Sequence, residues 1–344
     1  MKKIDKSKFL KKKVEHIDIK KHDTRALIDD MSKMSFSARD LARGSGIYNQ
    51  MLKEKDCTIF LTIAGSTSAA GCMQIYADLV ENNMVDAIVV TGATVADMDF
   101  FEALGNRHYH GSVEADNTDL RNHLVDRIYD TYIDEEALQK SDLTLKEIAN
   151  TLPVRTYAPW EFLNEVGKWL ANNPKRAKKN KSLLQLAYEK NVPIFCPSFI
   201  DSGAGFGIAL HYRENPDNHI VVDPTLDFLD ITTIKTLAKS SGILIIGGGV
   251  PKNFTQDTVI AAEMFGHDVP MHKYTVQITV ADVRDGALSS STLKEAGSWG
   301  KVNKADEQMI FAEATTVLPL LAGYAYHTGS WKKRKAQNWV HKIK

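Results

Sequence analysis

Short runs of β-branched and aliphatic residues recur along the chain, separated by stretches whose apolar positions repeat at helical spacing. Six runs predict strands: 58–63 (TIFLTI), 87–91 (AIVVT), 192–196 (VPIFC), 219–223 (HIVVD), 242–246 (GILII) and 274–280 (YTVQITV). Most are continuously apolar rather than alternating, which predicts a sheet covered on both faces. Helical spacing over 69–82, 160–170, 225–239 and 251–264 puts helices between them, with Pro224 and Pro251 at first turns. Strand and helix alternate, so the pattern implies an α/β fold: a parallel sheet with helices on both faces and a ligand site outside the carboxyl ends of the strands.

Composition narrows the function. With 344 residues, 43% apolar and 25% charged, the chain can bury a large core in two domains or in one large α/β unit. Forty-three Lys and Arg balance forty-three Asp and Glu, so no global field is present to hold a nucleic acid. Cys57, Cys72 and Cys196 make no disulfide framework and no C-x-x-C pair, which points to a cytoplasmic protein. No run of about eighteen apolar residues exists to span a membrane, and the basic start MKKIDKSKFLKKK precedes no apolar stretch of signal-peptide length. Three lysine-rich segments, 2–13, 174–181 and 331–344, read as solvated boundaries rather than as binding patches.

Chemistry is concentrated where strands end. Four strands run into loops of small residues: Ala64 to Gly71 (AGSTSAAG), Gly92-Ala93-Thr94, Asp201 to Gly207 (DSGAGFG) and Gly247-Gly248-Gly249. Such loops let backbone N–H groups approach phosphate oxygens, and the helix that follows adds partial positive charge. One alone would be an ordinary tight connection; several together suit a dinucleotide. None is a P-loop, since no Gly-Lys-Ser/Thr follows. The third loop imitates a dinucleotide fingerprint whose ribose-binding acid would be Asp223, but it reads G-x-G-x-G, so a standard dehydrogenase stays an alternative. Asp97 and Asp99 follow the second strand, where carboxylates hold a ribose or an amine, or cap a helix. His108-Tyr109-His110 lacks a third metal ligand, and the reading adopted is a loop pair satisfied by solvent or backbone, with no metal site. Near the C-terminus, Ser298-Trp299-Gly300-Lys301 combines an indole able to stack on a cation with a lysine able to form a Schiff base, and Glu295 supplies a carboxylate.

The string Glu295-Ala-Gly-Ser-Trp-Gly-Lys301, preceded by 247–252 (GGGVPK) and followed by 312–320 (AEATTVLPL), resembles deoxyhypusine synthase. Asn83 to Asp86 (NMVD) and Pro197 with Asp201 fall in the same order, so the resemblance runs from Thr24 to Tyr326. VPKNF and ITVADVRDGA are most similar to the bacterial deoxyhypusine synthase-like branch. The resemblance implies a Rossmann-like doubly wound sheet in a single NAD-binding catalytic domain over 24–328, with a basic extension over 1–23 and a basic tail over 329–344. It implies a homotetramer with active sites at dimer interfaces. It further implies that NAD oxidises a polyamine such as spermidine and that an aminobutyl imine passes through Lys301 to an acceptor amine. Trp299 and Glu295 match residues lining the polyamine tunnel. Ser66, Ser68, Thr91, Asp97, Asp201, Gly248, Gly249 and Glu313 match the NAD site, although Asp97 replaces a glutamate, Glu313 an aspartate and Ser66 an asparagine.

The polyamine side departs further. Phe206 and Leu288 stand where the family has aspartates, and Asn253 where it has a histidine. Burying an ammonium without its carboxylate costs several kcal/mol. Either the substrate differs, or Asp97, Asp99 and Asp282 take over. The expected activity is an NAD-dependent transfer of an aminoalkyl group through Lys301, the substrate being a polyamine or small amine. The alternatives are a homospermidine synthase-type transfer to putrescine, a hydrolase acting on agmatine or a related amine, and a non-catalytic NAD-binding scaffold.

Overall fold

The computed structural model describes residues 4–175, 182–288 and 291–343. Its centre is a six-stranded, all-parallel sheet: β1 (Cys57–Ile63), β2 (Ala87–Val90), β3 (Ile194–Phe195), β4 (Ser240–Ile246), β5 (His272–Thr279) and β6 (Val302–Phe311). The spatial order is β6-β5-β4-β1-β2-β3. That is the doubly wound order, whose direction reverses between β1 and β4 and opens a crevice there. Five of the six predicted runs form sheet strands. The sixth, 219–223, does not: only Val221–Val222 forms a strand, and it pairs with Thr156–Tyr157 in a separate two-stranded ribbon. Asp223 caps helix Pro224–Leu237 by accepting from Thr225 N at 2.8 Å, so the fingerprint that made it a ribose-binding acid is not formed.

Side chains of the central strands point alternately to two cores. Ile59, Leu61 and Ile63 of β1, Leu244 and Ile246 of β4 and Val276 and Ile278 of β5 meet helix Phe36–Lys53 through Tyr48 and Met51. Phe60, Val89, Ile243 and Ile245 face the other way, against Trp160, Ile231 and Ile234. Gly44 allows the helix to approach the sheet, since a Cβ there would lie 2.7 Å from Ile310 Cδ1. A three-stranded antiparallel sheet, Tyr109–His110, Thr131–Asp134 and Val125–Ile128, stands apart from the main one.

The basic termini are less solvated than their charge predicts. Lys6 is buried against Asp134 at 2.5 Å and Glu136 at 2.9 Å, and Ile19 enters the first core. His16 and His108 both hold Glu102, at 2.6 and 2.7 Å. Burial opposes ionisation of Glu102, but the two imidazoles outweigh it and bring its carboxyl down to about 2. His108 is therefore held through Nδ1 by a buried carboxylate rather than by solvent or backbone, and its Nε2 is buried without a partner. At the other end Trp339 and Val340 join the second core, and Arg334 is buried against Asp86. Of the segment 174–181, residues 176–181 lie outside the described residues.

Candidate functional site

Four loops meet at the carboxyl edge of the sheet beside the β1/β4 switch. Backbone bonds tie the strand ends together: Ala64 N to Ile246 O, Thr91 N to Ile63 O and Gly247 N to Ile278 O. Gly65, Gly247 and Gly249 take left-handed φ values of 88°, 82° and 61°, which only glycine adopts without strain. Gly248 precedes helix Gly249–Gln256, and a Cβ on it would lie 2.8 Å from Ala287 O. The hydroxyl of Ser68 is buried there without a hydrogen-bond partner. A bare backbone cradle, a helix N-terminus and an unpaired hydroxyl fit the pyrophosphate and ribose of a dinucleotide.

The remaining loop residues have local duties. Thr91 Oγ1 lies 3.2 Å from Thr94 Oγ1, Ser66 O accepts from Ala70 N, and Asp201 is exposed beside Asp97. Asp97 Oδ1 accepts from Gly203 N at 2.7 Å, at the start of helix Gly203–Glu214. Glu313 caps helix Ala314–Thr328 through Thr315 N and Thr316 N. Asp99 is not at the crevice at all. It is buried and accepts from Ser182 Oγ, Leu183 N and Leu184 N, so it anchors helix Leu183–Lys190; burial still lifts its carboxyl to about 6. Asp282 pairs at the surface with Arg284. Asp99, buried and committed to the helix start, is therefore not available as a polyamine anchor.

Sequence reasoning passed over Asp142. This side chain, 8% exposed, converges with Asp97 on the Gly203 N-terminus, and its Oδ1 has no hydrogen-bond partner. Burial, then the charge of Asp97, pushes its carboxyl up to about 7. An acid raised in the folded state costs nothing below pH 4, where both states hold the proton, and its penalty grows as pH rises from 4 to 7. Asp142→Asn is therefore expected to gain about 2 kcal/mol over the parent at pH 8, allowing for partial screening, and nothing at pH 4. Urea unfolding at the two pH values checks this.

The lysine region is built by helix signals. Thr292 and Glu295 form a reciprocal capping box, with Thr292 N donating to Glu295 Oε2 at 2.6 Å. That backbone bond, first, lowers the Glu295 carboxyl. At the other end of helix Leu293–Ser298, Lys301 N donates to Ala296 O and Gly300 N to Gly297 O, with Gly300 at φ 73°. This is a Schellman stop. It exposes the Trp299 ring and delivers Lys301 to the start of β6. The Lys301 ammonium lies 5.3 Å from the Trp299 ring centroid and 2.5 Å from Asp257 Oδ1. Asp257 was not foreseen, because 44 positions separate it from Lys301 and it belongs to no motif.

The other matched positions behave differently. Asn253 is half-buried on helix Gly249–Gln256 and Phe206 is 66% exposed on helix Gly203–Glu214. Leu288 is buried, and its carbonyl accepts from Lys252 Nζ at 2.9 Å. Desolvation lowers that lysine to about 8. Within one chain the two groups stay apart: Lys301 O accepts from His272 N at the amino end of β5, six strand positions before Ile278. That places the Lys301 backbone roughly 20 Å down the sheet from the glycine loops, while its ammonium reaches back to Asp257 at the end of helix Gly249–Gln256.

The deoxyhypusine synthase family model matches residues 26–325. The chain belongs to this family. It is 59% identical to the deoxyhypusine synthase-like protein of Coxiella burnetii (strain RSA 493 / Nine Mile phase I), over 98% of this chain and 96% of that protein. A deoxyhypusine synthase-like protein of Caulobacter vibrioides is 54% identical over 97% and 91% of the two chains. An archaeal relative from Methanosarcina mazei, named a probable deoxyhypusine synthase 2, is 36% identical over 93% and 91%. The fold matches the crystal structure of a candidate deoxyhypusine synthase from Entamoeba histolytica with a TM-score of 0.60 at 19% identity, covering 94% of this chain and 99% of that one. Family membership implies an enzyme, and the α/β sheet is the one that family pattern predicts. Among the described residues no helix is long and apolar enough to cross a membrane.

Proposed function

We propose that this deoxyhypusine synthase-like protein transfers an aminoalkyl group from a polyamine to an amine acceptor through an imine on Lys301. The observation that carries the reading is the setting of Lys301: a lysine largely covered from solvent, beside an exposed indole, in a chain whose strand-end loops suit a dinucleotide. NAD, when bound, supplies the hydride acceptor that converts the donor amine to an electrophilic imine. Gly248 and Gly249 would hold its pyrophosphate through backbone N–H groups, and Ser66, Ser68, Thr91, Asp97, Asp201 and Glu313 would surround its ribose and amide groups. Trp299 offers its π face to the cationic donor, and the Lys301 nitrogen, once neutral, attacks the imine carbon. Phe206 and Leu288, in place of two aspartates, favour a donor with fewer charges than spermidine or a small amine acceptor; product analysis separates transfer to putrescine from transfer to a protein lysine. Incubation with NAD and a panel of spermidine, putrescine and agmatine, followed by borohydride, tests the reading. A mass adduct on Lys301 supports it; urea release from agmatine without NADH moves the assignment to the hydrolase.

The exposure of Phe206 and Trp299, 66% each, favours an active site shared by two copies of the chain, with both rings covered in the assembly. Lys301→Ala and Gly248→Val are each expected to be inactive alone. Mixed and reassembled, they are expected to recover about a quarter of the parent activity, because random pairing restores one intact site in some assemblies. No recovery after subunit exchange, with both variants folded, would mean that each chain builds its site alone.

A further inference from the structure

We infer that Asp257 is the proton carrier for Lys301, standing in for the base that this chain lacks at Asn253. The inference rests on the imine-transfer reading above. Lys301 approaches Asp257 Oδ1 at 2.5 Å, and its side chain is only 15% exposed while that of Asp257 is 42% exposed. One face of the carboxylate therefore meets the lysine and the other remains open to a substrate. Asp257 ends helix Gly249–Gln256 and precedes helix Thr258–Met264, yet its side chain makes no capping bond with the second helix. Its carboxylate is committed to Lys301 rather than to the backbone.

Other groups in reach do not do this work. Glu295 spends Oε2 on its capping box. Asn253 has no group that titrates. Lys252 commits its nitrogen elsewhere, donating to the carbonyls of Leu288 and Ser291. Asp257 also lies on the helix that begins at the glycine loop, about 12 Å along it from Gly249.

An ammonium has no lone pair, so Lys301 must release a proton before it attacks. The carboxylate of Asp257 takes that proton; the Lys301 nitrogen then forms a C–N bond with the protonated imine carbon. A second proton moves by way of the same carboxylate from the Lys301 nitrogen to the departing nitrogen, whose C–N bond breaks. The first proton follows onto the freed amine. Lys301 ends as a protonated imine, the leaving amine as an ammonium, and the carboxylate as it began. Nothing is oxidised or reduced in this step, because the donor has already given up its hydride. General acid and base transfer of this kind contributes 10²- to 10⁴-fold.

The labelling reaction needs no cofactor. The full-length protein is incubated with 4-aminobutanal and cyanoborohydride, and the rate of adduct formation on Lys301 is read by peptide mass mapping across pH 6–9, with surface lysines as internal reference. The condensation joins the aldehyde carbon to the Lys301 nitrogen and releases water. Asp257→Asn and Asp257→Ala are expected to slow the Lys301 adduct about 100-fold and to move its pH profile, with NAD-induced thermal stabilisation unchanged. Asp257→Glu is expected to stay within tenfold of the parent, and added formate to restore the Asp257→Ala rate at least tenfold. A parent chain labelled at Lys301, with Asp257→Asn and Asp257→Ala at the same rate and pH profile, overturns the inference and leaves the imine reading standing. A parent chain whose Lys301 reacts no faster than surface lysines overturns both.

Discussion

Lys301→Ala is expected to lower transfer by on the order of 10³-fold or more and to abolish the borohydride-trapped adduct, because the nitrogen that carries the imine is gone. Lys301→Arg is expected to be equally inactive. Arginine keeps the charge beside Asp257 and Trp299, but its guanidinium does not give up a proton to become a nucleophile. The pair of variants therefore separates loss of charge from loss of nucleophile. Folding should survive in both, since residue 301 contributes to the Schellman stop only through its backbone N–H. The exposed side of the ion pair with Asp257 contributes about 1 kcal/mol at most. NAD-dependent thermal stabilisation should also persist, as the glycine loops lie elsewhere on the sheet. Single-turnover transfer and intact-mass analysis make the comparison. An Arg variant that still transferred would assign Lys301 an electrostatic task and remove the imine from the mechanism.

The sheet was legible wherever burial on both faces wrote a continuous apolar run, as in TIFLTI, AIVVT and GILII. It was illegible at β6. Val302–Phe311 reads VNKADEQMIF, an edge strand whose outer positions meet solvent and carry charge, so no apolar run marks it. The false strand at 219–223 shows the converse: HIVVD has the right composition, but only two residues pair and they lie outside the main sheet. Local chemistry behaves in the same way. The capping box and the glycine stop around Trp299 are encoded within ten residues, so the placement of Lys301 follows from its neighbours. The carboxylates do not announce their tasks. Asp97, Asp99, Asp142 and Asp257 look alike in sequence, and only tertiary contact sorts them. One sits at a helix start in the crevice, one is a buried anchor, one is an unpartnered acid and one is a partner for lysine. Such assignments depend on residues tens of positions away, where periodicity carries no information.

The largest stability effect is expected at Arg334→Ala. Arg334 lies in the basic C-terminal segment, yet its guanidinium is buried, donating to Asp86 Oδ2 at 2.6 Å, to Cys57 O at 2.8 Å and to Asn83 O. Asp86 also accepts from Ile59 N at 2.8 Å, so one ion pair fastens the C-terminal segment to the start of β1 and β2. Burial drives the Asp86 carboxyl upward against the pull of Arg334. Removing the guanidinium leaves a buried carboxylate without its counter-charge and two carbonyls without a donor, a loss of about 3–5 kcal/mol. The sign of its pH dependence follows from the same geometry. In the variant the Asp86 acid is raised further above its unfolded value, so the deficit is full at pH 8 and shrinks as pH falls towards 4, where the unfolded chain also takes the proton. Arg334→Ala,Asp86→Asn should recover part of the loss at pH 8, because a neutral amide tolerates burial better than a lone carboxylate. Chemical unfolding of the parent, the single variant and the double variant at pH 5 and pH 8 measures all three terms. Equal losses at both pH values would show that Arg334 acts through its carbonyl bonds and packing rather than through Asp86.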